Sequence, residues 1–306
     1  MDKCLSCFGP LGSSDRGGWH GACSRRVFGT SEPPVLDLDL DDLPALGTAL
    51  LREAGTVAGV QKKLSAERTG SAPGRLTLRG LGGLYLLKPP VQEYPQLPEN
   101  EALCMELARQ VGISTAPHGL VPCGGTLVYV TRRFDRSSKG VKIPQEDFCQ
   151  LLNRPSADKY KGSLEAAAQV LRWSSQGGLD RVRFLELNIF AWLTGNADMH
   201  LKNFSLYRPE DRWEMTPAYD LVSTALVLPE DLEETALTVD GRKAGIDRRS
   251  WSALARRLEV PQKVLDGLLS RFASLTPTAE ALVGRSFLSG EMKEAFLRVW
   301  NQRVGI

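Results

Sequence analysis

The stretch 182–195, VRFLELNIFAWLTG, is apolar through most of its length and runs without a break into the polar decapeptide GNADMHLKNF at 195–204. A run this apolar is a buried helix, so the chain must build a core around it, and the polar residues at its end emerge from a rigid support. Phe204 to Tyr207 reads as a short strand, and the segment around Trp213 to Pro217 as its hairpin partner, which returns Asp220 towards the loop.

The loop has chemical content. Asp198 and Asn203 are separated by four residues, the spacing at which phosphoryl-transfer loops place a proton-accepting carboxylate and a metal-binding amide. Such chemistry needs a base to orient the attacking hydroxyl and oxygen ligands to hold magnesium against the nucleotide phosphates. Asp220 is the expected second metal ligand. Lys202 is expected to screen the transferred phosphoryl group, and His200 to brace the loop by hydrogen bonding, although in ordinary kinases the equivalent histidine precedes the Asp.

Upstream, residues 80–90, GLGGLYLLKPP, form a glycine turn followed by a short apolar strand that ends at Lys88. The segment 99–113, ENEALCMELARQVGI, follows Pro98, carries acids in its first turn and places Leu103, Leu107 and Val111 at helical spacing. Of Glu99 and Glu101, the second is the expected partner of Lys88. Two short strands around 119–122 and 127–131 then end at Arg133-Phe134-Asp135-Arg136, where a backbone segment is expected to hydrogen-bond adenine.

Seven segments in order, AGTVAGVQKKL (54–64), YLLKPP, ENEALCMELA, VTRRFDR, IPQEDFCQLL, DKYKG and GNADMHLKNF, give the chain its resemblance to the HipA family of toxin–antitoxin kinases. The resemblance implies an α+β, two-lobed protein-kinase-like fold with a small mixed antiparallel-sheet N-lobe and a larger helical C-lobe. It implies ATP and Mg2+ as cofactors, Asp198 as catalytic base, Asn203 and Asp220 as magnesium ligands, and Lys88 as the ATP-phosphate lysine. It also places the adenine hinge at Arg132 to Phe134, with Gly59 and Gln61 of the loop GTVAGVQ beside the phosphates. Known members phosphorylate an aminoacyl-tRNA synthetase, stop translation, and are neutralised in complexes with a helix-turn-helix antitoxin through which they meet DNA.

Departures matter too. About 55 residues precede the nucleotide loop, so the chain looks like the short HipT type, in which a small separate HipS-like protein supplies the missing subdomain. Family members carry autophosphorylating serines in the loop, and the matching positions here are Thr56 and Ala58. Thr56 is therefore the expected phosphate acceptor of the pair, and a phosphate there would repel nucleotide. Two other readings remain open at this stage: a phosphotransferase acting on a small molecule, and a catalytically silent part of an antitoxin–DNA repressor complex.

The first residues hold a second constellation: Cys4 and Cys7, then His20 and Cys23, two close pairs of soft ligands suited to tetrahedral zinc. Zinc would staple a stretch expected to lack a core; free thiols are the alternative. Cys104, Cys123 and Cys149 read as buried thiols within elements, and with no secretory segment at the start a reducing cytoplasm is expected. With 42% hydrophobic residues, a net charge of +2 and no long apolar or basic aromatic tract, the chain is expected neither to cross a membrane nor to bind nucleic acid by itself. The acidic stretch 37–43, DLDLDDL, reads as a solvated linker or partner-facing edge. The expected organisation is a Cys/His arm at 1–30, a nucleotide-binding small lobe at 31–136 and a helical catalytic lobe at 137–306.

Overall fold

The computed structural model describes residues 2–36, 63–80, 82–137 and 139–305. The expectations for Thr56, Gly59, Gln61 and the acidic stretch 37–43 lie outside the described residues. The chain divides into two compact units, one comprising Met1–Glu106, Ala116–Lys142 and Arg285–Phe287, the other Leu107–Thr115, Ile143–Gly284 and Leu288–Ile306.

The first unit is organised by a sheet. Its strands are β1 (Val35–Leu36), β2 (Leu64–Thr69), β3 (Arg75–Leu78), β4 (Tyr85–Lys88), β5 (His118–Cys123) and β6 (Thr126–Arg132), in the order β1-β3-β2-β4-β6-β5. β1 runs parallel to β3 and the other pairings are antiparallel, which gives the mixed, mainly antiparallel sheet expected. β4 lies between β2 and β6, so Leu87 stands opposite Leu64 on one side and Val130 on the other, all three buried. Helix α1 spans Gly21–Phe28 and α2 spans Leu97–Gln110. α2 begins just before Pro98, whose missing N–H costs nothing in a first turn, and its Ala102, Leu103, Cys104 and Met105 are fully buried.

The first thirty residues are not the coreless arm anticipated. Leu5, Phe8, Trp19, Val27 and Phe28 are buried. The rings of Trp19 and Phe28 lie 5.1 Å apart, and those of Phe28 and Tyr85 of β4 lie 5.5 Å apart. The Leu120 N–H donates to the Leu5 carbonyl at 2.9 Å, and the Ser6 hydroxyl to the His118 carbonyl at 2.9 Å. The segment thus extends the edge of the sheet beside β5. Its apolar residues follow no helical or strand period, so local pattern could not reveal that burial.

The second unit is mainly helical. It contains α3 (Phe148–Leu151), α4 (Leu164–Ala167), α5 (Gly177–Leu193), α6 (Arg248–Arg257), α7 (Gln262–Ser274), α8 (Thr276–Arg285, whose last residue groups with the first unit) and α9 (Gly290–Arg303). Strands β7 (Gln145–Asp147), β8 (Ser205–Tyr207) and β9 (Glu214–Met215) form a small antiparallel sheet in that order. The hairpin anticipated after the loop is present, with Leu206 opposite Met215 and Tyr207 opposite Glu214. α5 is the apolar helix foreseen; Phe184, Leu185, Ile189 and Phe190 are fully buried.

The buried Asp180 ties this helix to the hairpin. Its carboxylate accepts from the Ser174 hydroxyl at 2.5 Å, the Met215 N–H at 2.9 Å and the Arg183 guanidinium at 2.9 Å. Removing it strands a buried N–H and frees β9. Asp180→Ala is expected to lower unfolding stability by about 3 kcal/mol, read as a fall in the urea midpoint with an unchanged slope.

Candidate active site

α5 delivers the loop to its place. At its C-terminal end Arg303 donates to the Trp192 carbonyl at 2.5 Å, supplying a cation where helix carbonyls lack partners. Gly195 then turns the chain with φ at 73°, a left-handed conformation that favours glycine. The Ala197 N–H donates to Thr224 Oγ1 at 2.8 Å, and that hydroxyl donates to the Gly195 carbonyl at 3.0 Å, so the entry to the loop is closed from both directions.

Beyond this turn, hydrogen bonds hold Asp198 and Asn203 in register. The Asp198 N–H donates to Asn196 Oδ1 at 2.9 Å. The Asp198 carbonyl accepts from the His200 N–H at 2.8 Å and from Asn203 Nδ2 at 3.0 Å. With its NH2 group engaged this way, the Asn203 side chain has its carbonyl oxygen outside the strap. Asn203 is itself buried.

Asp220 follows the hairpin in a left-handed conformation, φ 59°, uncommon for a residue with a side chain and frequent where function over-determines the backbone. Its neighbour Tyr219 fixes it to the loop. The Tyr219 hydroxyl donates to the Lys202 carbonyl at 3.0 Å and lies 2.6 Å from Ser205 Oγ. The Asp198 and Asp220 charges both act on Tyr160 and His200, so the four groups are electrostatic neighbours.

The phenol of Tyr160 was missed as a site residue. It donates to Asp198 Oδ1, and burial, followed by that bond to Asp198, pushes its pKa well above the usual tyrosine value. The motif DKYKG was visible, yet nothing in its spacing says that a side chain 38 residues upstream meets the loop carboxylate.

His200 and Lys202 both contact residues outside the loop. His200 Nδ1 is buried without a hydrogen-bond partner; the ring packs edge-on against Tyr160 with centroids 5.0 Å apart, and burial lowers its pKa, which keeps the imidazole neutral. His200 thus supports the loop through this ring contact and through its N–H bond to the Asp198 carbonyl. Lys202 reaches Asp147 Oδ2 at 2.7 Å, where Asp147 also caps α3 through a reciprocal box with Gln150. Its charge is therefore directed at Asp147 in this conformation.

In the first unit, Lys88 and Glu101 meet. Lys88 Nζ lies 2.6 and 2.8 Å from the two carboxylate oxygens of Glu101, with side chains only 4% and 3% exposed. The ammonium also sits 5.5 Å from the centre of the Tyr129 ring. Glu99 is not the partner; burial raises its pKa. At the anticipated hinge, the Arg132 N–H donates to the Pro117 carbonyl and the Arg133 N–H to the Leu84 carbonyl, both at 2.8 Å. Those two amides are thus used within the protein, which removes them as donors to adenine. The Arg133 side chain forks onto Asp135 at 2.8 and 2.6 Å, and Phe134 is half-buried.

The sulfurs and one ring nitrogen of Cys4, Cys7, His20 and Cys23 also converge, all within 4.8 Å of one another. Cys104, Cys123 and Cys149 are buried. Among the described residues no helix is long and apolar enough to cross a membrane.

Comparison with known proteins finds relatives named as kinases. "Putative kinase Y4dM" of Sinorhizobium fredii is 32% identical over 228 residues, which is 69% of this chain and 55% of that protein. "Serine/threonine-protein kinase toxin HipA" of Shewanella oneidensis is 29% identical over 259 residues, 74% of this chain and 57% of that one. The chain spans about half the length of the curated relatives it matches. A solved complex of Shewanella oneidensis HipA, HipB and operator DNA superposes with a TM-score of 0.69 at 24% identity, over 82% of this chain and 65% of that one. The Helicobacter pylori proinflammatory kinase CtkA gives 0.53 at 14% identity, over 80% of this chain and 93% of that one. These likenesses establish a kinase-like fold. A family model described as HipA-like C-terminal domain matches residues 55–279, nearly three quarters of the sequence, and the chain belongs to that family.

Proposed function

We propose that the chain is an ATP- and magnesium-dependent serine/threonine protein kinase that acts as a toxin on a host protein, an aminoacyl-tRNA synthetase by family likeness. The observation that carries the reading is the strap from Asn203 Nδ2 to the Asp198 backbone carbonyl, which ties the proposed metal-binding amide to the residue of the proposed base in a loop held at both ends. Asp198 orients the acceptor hydroxyl and receives its proton. The all-oxygen set of Asn203 Oδ1 and the Asp220 carboxylate suits a hard cation, so these residues would hold magnesium, which when bound neutralises charge on the phosphates. Lys88, poised by Glu101, is the residue for the nucleotide phosphates, and Gly59, Gln61 and the stretch Arg132 to Phe134 are the remaining nucleotide contacts proposed. Thr56 is the proposed autophosphorylation site.

Partners follow by the same likeness: a helix-turn-helix antitoxin, DNA through it, and a small HipS-like protein. The test is phosphate transfer in a bacterial lysate by the purified chain with ATP and magnesium, read by phosphoproteomics beside a screen of the small-molecule pool. One synthetase peptide labelled on Ser or Thr is the expected result. Label confined to metabolites would replace the protein-kinase reading with a small-molecule phosphotransferase, and ATP binding with no transfer would leave a silent partner of a repressor complex.

A further inference from the structure

Cys4, Cys7 and Cys23 lie far in sequence from the phosphotransfer residues, and nothing in that chemistry uses them. Their surroundings have the form of a metal centre. Tetrahedral zinc with thiolate and imidazole ligands needs donor atoms roughly 3.5 to 3.8 Å apart. His20 Nδ1 lies 3.2 Å from Cys7 Sγ and 3.9 Å from Cys23 Sγ, and all four donor atoms fall within 4.8 Å of one another.

The histidine is oriented as a ligand. Its Nε2 lies 2.8 Å from the Pro10 carbonyl, an acceptor only, so Nε2 carries the proton and Nδ1 presents its lone pair to the sulfurs. The Asp15 carboxylate, 3.9 Å from the same Nε2 and held by the Gly12 N–H at 2.8 Å, adds to that outer support. A sulfur hydrogen bond also belongs to such sites: the His20 N–H donates to Cys4 Sγ at 3.4 Å. Around the first pair the backbone folds into a tight knuckle, with the Cys4 N–H bonded to the Gly9 carbonyl at 2.8 Å and the Phe8 N–H to the Cys4 carbonyl at 3.0 Å. Cys4 is fully buried and the other three ligands are half-buried.

We propose that this cluster binds one zinc ion and that the ion is structural, clamping the first thirty residues to the edge of the sheet that carries Lys88. Four protein ligands fill a tetrahedral shell and leave no open position for a substrate, which sets this centre apart from a catalytic metal. Binding displaces the thiol protons of Cys4, Cys7 and Cys23 and leaves His20 neutral. The knuckle residues Leu5 and Ser6 are the ones that bond to Leu120 and His118 of β5. Trp19, next to the ligand His20, packs so closely over β5 that a Cβ on Gly119 would stand 2.3 Å from its ring. The metal thus fixes both the backbone and the aromatic residue that cover that edge.

The test uses the full chain, expressed with its affinity tag removed, and no readout passes through phosphoryl transfer. Elemental analysis is expected to find one zinc per chain. Cobalt exchange is expected to give a thiolate-to-metal charge-transfer band with tetrahedral d–d transitions, and Cys23→Ser is expected to lose both. A strong chelator is expected to lower Tm by about 5 °C or more. Absence of stoichiometric metal, iron in place of zinc, or a disulfide among these cysteines in the chain as isolated would overturn the proposal. If Cys23→Ser does not fold, the zinc content and the cobalt spectrum of the unaltered chain decide it alone.

Discussion

Asp198→Asn should lower phosphoryl transfer by about 10²- to 10⁴-fold, the range that a positioned base contributes, while leaving the fold and nucleotide binding in place. The substitution keeps the planar shape, so the side-chain oxygen can still accept from the Tyr160 hydroxyl, and the strap from Asn203 goes to the Asp198 backbone and does not depend on the side chain. What disappears is the negative charge and with it the capacity to take the hydroxyl proton. The measurement is initial rate of label transfer alongside a melting curve and an ATP titration. A variant within about tenfold of the parent rate would remove Asp198 from the role of base. An unchanged melt with lost transfer separates that role from a structural one.

The second large effect concerns stability. Glu101→Ala removes the carboxylate that lies 2.6 Å from the Lys88 ammonium, a group only 4% exposed, and breaking one half of such a buried pair costs about 3–5 kcal/mol. Chemical denaturation should show that loss. The double variant Lys88→Met, Glu101→Leu removes both charges and should recover most of it, because a pair of buried charges is often no more stabilising than well-packed apolar groups. Nucleotide binding should not recover with stability, since the ammonium proposed for the phosphates is gone. Recovery of both properties would take Lys88 out of the nucleotide site. A loss below about 1 kcal/mol for Glu101→Ala would mean that the ammonium finds another partner or water.

Those two residues illustrate what can be read from sequence. Lys88 ends an apolar strand and Glu101 opens an apolar-periodic helix, so each is placed by a local pattern, and the pairing needed only the assumption that strand and helix pack. The Asp198–Asn203 spacing and the hairpin after it are local for the same reason. What stayed hidden depends on distant segments. Lys202 finds Asp147 55 residues away, and Tyr160 finds Asp198 38 residues away. Helix α8 was overlooked because Thr-Pro-Thr at its start reads as a turn, although proline suits a first helical turn. The bonds that occupy the Arg132 and Arg133 amides stayed hidden because their partners, Pro117 and Leu84, come from other segments of the chain.

The covering of β5 by the opening residues also bears on the order of events at the ribosome. Ser6 is 112 residues from its partner His118, so these residues emerge long before the strand edge they will cover. During that interval Leu5 and Trp19 have no sheet to rest on, whereas the four metal-type ligands all lie between Cys4 and Cys23 and can close on one another at once. The knuckle can therefore order before the sheet does, formed from short-range contacts and held until translation delivers its mate. A chain that closed this loop late would expose two large apolar side chains throughout synthesis of the sheet.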